Sequence, residues 1–266
     1  MSSTTSLNVL SIGATGSIGR LVVTEALRQG HHVRALVRPG SRADFPAACE
    51  VVTGHLTSEE DLARALERID AVVFTHGTHA EPRAIEDVDY GAVRRTLDAL
   101  AGRQCRIALM TAIGVTVMDS DYNRTYEAHD WKRRSERLVR ASGNPYTIVR
   151  PGWFDYNAPD ELALRFLQGD TRRAGSPADG VISRAQIAQV LVSALTDPAA
   201  DHKTLELVAE TGPAPQDLSP LFAALAADPV DGVDGVKDPD NFPLDAQPQV
   251  VADDLARIAG YASGRA

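Results

Sequence analysis

The sequence has few cysteines, no long apolar run and a deficit of basic charge. Its 266 residues include two cysteines, Cys49 and Cys105, which form no disulfide framework and indicate a reducing compartment. No apolar run approaches the ~20 residues that span a membrane. The leader Met-Ser-Ser-Thr-Thr-Ser lacks the apolar core of a signal peptide. These absences predict a cytoplasmic protein that does not bind a membrane.

Acidic residues outnumber lysine and arginine by 36 to 27, which gives a formal net charge of −9. This balance argues against a basic patch of the kind that binds nucleic acid, so no nucleic-acid partner is expected. The chain is 44% hydrophobic and 24% charged, as is typical of globular proteins. Its length fits one large α/β domain, alone or with a small appendage.

Apolar runs and helical periodicities alternate along the chain. Strands are predicted at 7–12, 32–37, 50–53, 70–75, 105–111, 145–150 and near 204–209. Helices are predicted at 17–29, 58–68, 84–101, 122–142, 184–196 and 249–261. Several strands are continuous apolar runs, which indicates a sheet covered on both faces. The alternation predicts an α/β fold with a doubly wound parallel sheet and right-handed crossovers.

Residues 228–245 depart from this alternation, because they combine many aspartates with glycine and proline. The aspartate spacing does not match a calcium-binding loop, which needs alternating acids, a glycine and a distal glutamate. The segment is therefore predicted to be a solvated, turn-rich region.

The most informative segment is 7–20, where an apolar strand enters a glycine turn and a helix follows. Gly13 permits the tight turn, Gly16 lets the backbone approach a phosphate, and Gly19 lets the helix pack on the strand. A strand, a glycine turn and a helix in this order place a pyrophosphate on the helix N-terminus. The alternative is an ordinary strand-to-helix connection without a ligand.

The end of the second predicted strand, 32–37, indicates which dinucleotide is bound. An acidic residue there would bind the adenosine ribose of NAD, but none is present. Arg38 stands at the tip and Arg42 follows, and a guanidinium binds a 2′-phosphate well. The sequence therefore favours NADP(H). The alternative is that both arginines are ordinary surface charges.

The run Gly13-Ala14-Thr15-Gly16-Ser17-Ile18-Gly19 resembles the extended and atypical short-chain dehydrogenase/reductases, including the NmrA-like branch. The resemblance covers roughly residues 7–210. It implies a Rossmann domain at 1–155 and a smaller substrate-binding portion at 156–266, of which 182–210 returns to the Rossmann sheet.

The resemblance also implies cofactor contacts at the ends of later strands. His55 and Leu56 stand where relatives carry an acid and a hydrophobic residue near the adenine, so the acid is replaced. The complete set of expected cofactor contacts is Gly13, Thr15, Gly16, Ser17, Ile18, Gly19, Arg38, Arg42, His55, Leu56, Thr75, His76, Gly77, Lys132, Pro151, Gly152, Trp153 and Phe154. His76 and His79 have spacing suited to a metal, but no clear third ligand appears, so no metal is expected.

The resemblance also indicates candidate catalytic residues. Members of the resembled family usually place Tyr-x-x-x-Lys on the helix after the fifth strand, where the lysine binds the nicotinamide ribose and lowers the tyrosine pKa. Lys132 holds the lysine position, but Ala128 replaces the tyrosine. His129 is the best-placed substitute on that helix, unless it is a surface histidine. Tyr126 lies on the wrong face of a continuous helix, but a helix that begins after it would leave it in a loop able to point inward.

Two further positions have open interpretations. Thr111 stands near the family's companion serine, where it either orients a substrate carbonyl or satisfies a strand end. Trp153, Phe154 and Tyr156 form either an aromatic wall for a flat or apolar substrate or part of the core.

Three functions remain open from the sequence. The first is an NADP(H)-dependent oxidoreductase that transfers hydride to or from a small carbonyl or enone substrate. The absence of a tyrosine at 128 keeps a non-catalytic NADP-binding sensor or regulator as an alternative. The third is an epimerase or dehydratase that uses transient oxidation. A small-molecule substrate is the expected partner, and a homodimer is compatible with the sequence.

Overall fold

The computed structural model describes residues 6–264. Its ten strands form one sheet, in which seven parallel strands lie in the order β3-β2-β1-β4-β5-β6-β10. The strands are β1 Asn8–Ile12, β2 His32–Val37, β3 Glu50–Thr53, β4 Ala71–Phe74, β5 Arg106–Met110, β6 Tyr146–Pro151, β7 Trp153–Phe154, β8 Ala163–Leu167, β9 Val181–Ile182 and β10 Lys203–Glu210. The predicted doubly wound Rossmann-type α/β fold is confirmed.

Nine α-helices accompany the sheet in the described part of the chain. They are α1 Ser17–Arg28, α2 Glu59–Ala65, α3 Pro82–Ile85, α4 Gly91–Leu100, α5 Asp121–Tyr126, α6 Ala128–Ala141, α7 Arg184–Ser193, α8 Ser219–Ala223 and α9 Gln249–Ser263. None of the helices within 6–264 is long and apolar enough to cross a membrane.

Two predicted helices are interrupted. The helix predicted at 122–142 breaks at Glu127, whose φ of 53° lies in the left-handed region, so α5 and α6 are separate. The helix predicted at 84–101 contains a π-helical turn at Glu86–Tyr90 between α3 and α4. A π-turn inserts one residue into the helical ladder and is frequent at functional sites. Both interruptions lie beside the candidate site described below.

Both faces of the sheet are buried, as the apolar strands predicted. Val9 of β1 packs in one hydrophobic cluster with α1 and α7. Leu10 and Ile12 of the same strand pack in the other cluster, together with residues of α2, α4 and α6. The alternation follows from the two-residue period of a strand. The predicted division near residue 155 stays a prediction, while β9 and β10 join the sheet from the later part of the chain.

Helix α6 differs from the other helices because its buried face carries arginines. Arg133, Arg137 and Arg140 are almost completely buried. They donate hydrogen bonds to residues 228–247, which we call the acidic strap. Arg137 pairs with Asp234 at 2.7 Å, and the Phe242 ring lies 4.7 Å from its guanidinium.

The prediction that 228–245 is a solvated segment is therefore wrong for its paired aspartates. Asp228 is buried and bonds Arg140 and the Tyr146 hydroxyl. Asp238 is buried and pairs with Arg150. The local spacing of these aspartates cannot indicate such pairs, because the arginine partners lie about 90 residues earlier in the chain. Asp231, Asp240 and Asp245 are exposed.

The charged network continues below α6 into the sheet. Glu136 and Arg150, both fully buried, are 2.6 Å apart. Burial would raise the pKa of Glu136, but Arg150 and Arg140 hold it below its usual value. Glu206 on β10 lies 3.3 Å from Arg150, and burial raises the pKa of Glu206 to about 7 against the opposing effect of Arg150.

Replacing Arg150 with methionine should strongly destabilise the fold. The change leaves Glu136 and Asp238 as buried carboxylates without their main partner, which costs about 3–5 kcal/mol of unfolding free energy. Arg28→Met is the matched control, because Arg28 is exposed in its pair with Glu25 and such pairs contribute at most about 1 kcal/mol. Urea denaturation measures both, and equal losses would contradict the assigned role of the network.

Glu206 should make the protein less stable as the pH rises from about 4.5 to 7. In that window the folded protein retains a proton on Glu206 that the unfolded chain releases, because the folded pKa is raised. The stabilisation is complete below the unfolded pKa and is lost as the pH passes the folded pKa.

Glu206→Gln should flatten this decline, since the amide stays neutral at every pH. Glu210→Gln on the same strand is the control, because the Glu210 side chain is 44% exposed beside Arg165. Denaturation midpoints at pH 5, 6, 7 and 8 measure the effect. A decline of the same slope in the glutamine variant at 206 would disprove the assignment.

Candidate functional site

The candidate site lies where the carboxyl ends of the parallel strands meet, around the turn between β1 and α1. Gly13 has a φ of 87°, and a Cβ there would lie 2.5 Å from the backbone nitrogen of His76. A Cβ at Gly19 would lie 2.1 Å from the Gly13 carbonyl oxygen. At Gly16 the nearest atom is that same oxygen at 3.2 Å, so its outer side is open. The two outer glycines are needed for close packing, and the middle one leaves backbone accessible.

The N-terminus of α1 is available to an anion. Gly16 is its N-cap, no side chain caps the first turn, and the first turn holds no acid. In contrast, Ser58, Ser120 and Ser183 cap α2, α5 and α7 with their side chains. Free backbone amides and the helix dipole favour negative charge. The turn therefore fits the pyrophosphate of a dinucleotide.

The tip of β2 offers cations beside this turn. Within residues 6–264 the Arg38 side chain makes no hydrogen bond or ion pair. Arg42 is 86% exposed and forms an ion pair with Asp44 at 3.4 Å. Arg20, which the sequence analysis did not identify, donates to the carbonyls of Thr15, Arg42 and Asp44. Arg20 thus fixes the arginine-bearing loop against the glycine turn. The position of Arg20 directly after Gly19 does not by itself indicate this role.

The end of β3 holds His55 and Leu56. The His55 amide donates to the Asp61 carboxylate at 2.8 Å, and this bond lowers the pKa of Asp61. The His55 side chain is exposed, and Leu56 packs partly on the core. Both residues lie at the carboxyl edge, and their contact with an adenine stays a prediction.

The π-turn before α4 presents Asp89 to Lys132. The Lys132 ammonium pairs with the Asp89 carboxylate, which is buried. The same carboxylate accepts a bond from the Thr78 amide at 3.2 Å, next to Gly77. The Asp89 carbonyl accepts from the Ser135 hydroxyl at 2.7 Å. Asp89 was missed by the sequence analysis, because regular helix was expected at its position.

Helix α9 anchors this π-turn from the other side. The Tyr90 hydroxyl donates to Asp254 at 2.7 Å, and both residues are buried. Burial, aided by Asp254, raises the pKa of Tyr90. Arg257 pairs with Asp254 and with Asp98 of α4. The position of Asp89 beside Lys132 is thus connected to the C-terminal helix.

His76 lies between the glycine turn and Asp89. Its Nε2 is 3.5 Å from the Asp89 carbonyl, while Nδ1 is buried without a hydrogen-bond partner among the described residues. Burial lowers the pKa of His76, so the ring is neutral near pH 7. The described residues contain no group of three or more His, Cys, Asp or Glu side chains that could hold a metal.

His129 has a defined proton arrangement. Its Nδ1 lies 3.2 Å from the Val117 carbonyl, which only accepts, so Nδ1 carries the proton and Nε2 keeps a lone pair. Burial lowers the pKa of His129, against the opposing effect of the Val117 bond. Asp170 fixes the loop that carries Val117 by accepting from the Gly114 and Thr116 amides at 2.7 and 2.8 Å.

Ala128 and Tyr126 lie on either side of the break at Glu127. Ala128 is buried at the start of α6 and offers no acid. Tyr126 belongs to α5, with its ring 5.4 Å from Tyr122 and largely exposed. Because α5 and α6 are separate helices, the position of Tyr126 relative to Lys132 is not set by the geometry of one continuous helix. The catalytic role of Tyr126 stays a prediction.

The hydroxyl of Thr111 is already engaged. It donates to Glu136 at 2.7 Å and is buried. The expectation that it orients a substrate carbonyl is therefore not supported, because its single proton is held by a buried carboxylate. The Thr75 hydroxyl is likewise engaged with the Ile12 carbonyl at 3.3 Å, although the Thr75 backbone lies against Gly13.

The segment after β6 closes the other side of the site. A Cβ at Gly152 would lie 2.5 Å from the Gly180 carbonyl oxygen, which explains a glycine after Pro151. Trp153 and Tyr156 are exposed, so core packing is excluded for both. Phe154 is partly buried beneath the guanidinium of Arg184, 5.4 Å from the ring centroid.

Arg184 joins this segment to the cofactor turn. Its Nε donates to the Ser17 hydroxyl at 3.1 Å, and it also pairs with Asp155. The sequence predicts a helix from residue 184 but assigns Arg184 no part in the site. The bond to Ser17 shows that Arg184 borders the N-terminus of α1.

Comparisons with known proteins agree with this geometry. A family model described as NAD(P)H-binding matches residues 13–198. The uncharacterized sugar epimerase YhfK of Bacillus subtilis is 28% identical over 223 residues, which cover 81% of this chain and 100% of that protein. The photosystem II assembly factor Ycf39 of Synechocystis sp. is 38% identical over 168 residues, which cover 62% of this chain and 50% of that protein.

A solved structure shares the fold. The short-chain dehydrogenase/reductase (wide type) of Veillonella parvula, in complex with NADP, superposes with a TM-score of 0.59 at 15% identity and covers 80% of this chain and 100% of that one. The family model spans well over half of the 266 residues. The chain therefore belongs to the NAD(P)H-binding family, and its fold is that of Rossmann-type proteins.

Proposed function

We propose that the protein is an NADP(H)-dependent oxidoreductase that transfers hydride to or from a small carbonyl or enone substrate. The observation that carries the proposal is the uncapped N-terminus of α1 with the exposed side chains of Arg38 and Arg42 at the neighbouring tip of β2. The two free cysteines support a reducing compartment such as the cytoplasm. The proposal includes a homodimer, which rests on the sequence alone.

The preference for NADP(H) rests on Arg38 and Arg42. Strand β2 itself ends without an acid that would repel a 2′-phosphate, and both guanidinium groups are exposed, Arg42 in a 3.4 Å pair with Asp44. A guanidinium binds phosphate oxygens through two parallel, charge-assisted hydrogen bonds. The anchoring of this loop by Arg20 supports the preference, because it lowers the cost of ordering the loop around the ligand.

The chemistry is assigned to the residues around Lys132. When bound, the cofactor supplies a hydride to the carbonyl carbon or accepts one from the alcohol. The Lys132 ammonium, held by Asp89, binds hydroxyls of the nicotinamide ribose. His129 exchanges the proton with the substrate oxygen through Nε2, since Val117 occupies Nδ1. This role replaces the tyrosine that is absent at Ala128.

Removing the cations of the β2 tip should weaken NADPH binding selectively. Arg38→Ala/Arg42→Ala should raise the Kd for NADPH by about tenfold or more, because charge-assisted hydrogen bonds are lost. The Kd for NADH should change by less than about twofold. Arg68→Ala is the control, because Arg68 is an exposed arginine before β4. Equal weakening of both cofactors would contradict the assignment of a 2′-phosphate site.

Replacing His129 should impair turnover without impairing cofactor binding. His129→Gln should lower kcat by about a hundredfold or more, since a positioned acid/base contributes about 10²–10⁴. The Kd for NADPH should stay the same within about twofold. His32→Gln is the matched control, because His32 begins β2 at the opposite edge of the sheet. The assay follows NADPH oxidation with a panel of aldehydes, ketones and enones.

Two results of this assay would reject the oxidoreductase. Tight NADPH binding without oxidation by any member of the panel would favour a cofactor-dependent regulator. The buried Ala128 favours that alternative, as does the similarity to a protein named as an assembly factor. Substrate interconversion on tightly held cofactor, without net consumption, would favour the epimerase alternative, which the similarity to YhfK supports.

A further inference from the structure

Within residues 6–264, four aromatic side chains are strongly exposed, and all four adjoin the candidate site. Tyr122, Tyr126, Trp153 and Tyr156 expose 42%, 40%, 37% and 65% of their surface. Exposed large rings that occur together mark a binding surface, whereas scattered single ones do not. These residues follow β5 and β6, which are neighbours in the sheet.

The four rings form two pairs. The ring centroids of Tyr122 and Tyr126 are 5.4 Å apart, and we call these residues the α5 pair. Those of Trp153 and Tyr156 are 6.2 Å apart, and we call them the β7 pair. The β7 pair meets edge to face at 81°. Neither ring of this pair therefore covers the face of the other completely.

The α5 pair is connected to the cofactor-binding elements by a ring contact, and the β7 pair by its place in the chain on either side of Phe154. On one side, Tyr122 lies 5.5 Å from the ring of His129. On the other side, Phe154 lies between the two residues of the β7 pair in sequence and beneath Arg184, which bonds Ser17 at the start of α1. The α5 pair therefore borders His129, and the β7 pair borders the segment that Arg184 ties to the start of α1.

The charges at these elements are already balanced. The Lys132 ammonium is paired with Asp89, and the Arg184 guanidinium is paired with Asp155. A ligand held between the pairs gains aromatic contact without a strong charge requirement. Planar rings gain from offset or edge-on contact with aromatic side chains beyond the area that they bury.

We propose that the two pairs bind the substrate by aromatic contact and that the substrate is a planar, uncharged aryl ketone or aldehyde. This inference rests on the function proposed above and names its substrate class. In the reduction, hydride adds to the carbonyl carbon, and the oxygen takes a proton from Nε2 of His129, which must first take that proton up from water because Nε2 of the neutral ring carries a lone pair. NADPH is oxidised to NADP⁺, and the carbonyl compound becomes the alcohol.

The test compares two ketones with the same carbon skeleton, 2-acetonaphthone and its fully saturated decahydronaphthalene counterpart. Their binding to the NADP⁺-loaded protein is measured by titration calorimetry, which needs no turnover. The planar ketone should bind about tenfold more tightly than the saturated one.

The outer members of the two pairs give matched variants. Tyr122→Ala/Tyr156→Ala should abolish the preference for the planar ketone. Tyr122→Phe/Tyr156→Phe should retain it, because both rings remain and only the hydroxyls are lost. Both variants should bind NADP⁺ as the unmodified protein does. Val230→Ala is a control for loss of an exposed apolar side chain, and circular dichroism checks the folding of every variant.

Several outcomes would overturn the inference. They are equal binding of the two ketones, a preference that survives in the alanine variant, and a preference lost equally in the phenylalanine variant. If the alanine variant instead changes from dimer to monomer in sedimentation with ketone binding unaltered, the rings form a subunit contact. If the unmodified protein does not bind NADP⁺, the function proposed above fails, and this inference fails with it.

Discussion

The pairing of buried arginines on α6 with the acidic strap is the interaction that fixes the position of α6, the helix that carries Lys132 and His129 of the candidate site. Arg133, Arg137 and Arg140 recur at helical spacing and face inward. A buried guanidinium is costly unless its donors are satisfied, and here carboxylates and carbonyls of residues 228–247 satisfy most of them. Helix α6 therefore occupies its place only when a distant segment of the chain folds over it. This constraint matters because α6 also carries Lys132 and His129.

The same network reaches the candidate site by two routes. Glu136 of α6 accepts from Thr111 and pairs with Arg150, the residue before Pro151, so it links the ends of β5 and β6. Glu206 accepts from the backbone amide of Asp170, which in turn fixes the loop whose Val117 carbonyl sets the His129 tautomer. The groups assigned to proton transfer thus rest on charges buried inside the protein. A third support, from α9 through Tyr90, holds the π-turn that brings Asp89 to Lys132.

The geometry of the glycine turn and the arginines at the β2 tip could be predicted from the sequence because their signals are local, while the contacts of these residues with a cofactor stay a prediction. The glycine turn needs residues without a Cβ at fixed positions, and the β2 tip needs charge at its end, so both can be recognised within a few residues. The predicted parallel sheet is likewise encoded by the apolar strands themselves. The errors lie where a partner is far away in sequence. Residues 228–245 look solvated until the arginines of α6 are placed beside them. For Thr111, two interpretations were open from the sequence, and the bond to Glu136 favours the structural one.

The amino-acid sequence alone specified the α/β sheet, the dinucleotide turn and the arginines beside it, because backbone sterics, apolar patterning and the nearby charge act over short distances. The features that depend on long-range contacts were decided only by the tertiary structure. It broke the predicted helix at Glu127, which separates the α5 aromatic pair from α6, and it formed the π-turn that aims Asp89 at Lys132. Such features arise from the competition between regular helix and tertiary hydrogen bonds, and the outcome is settled only when the strap, α9 and α6 are packed together.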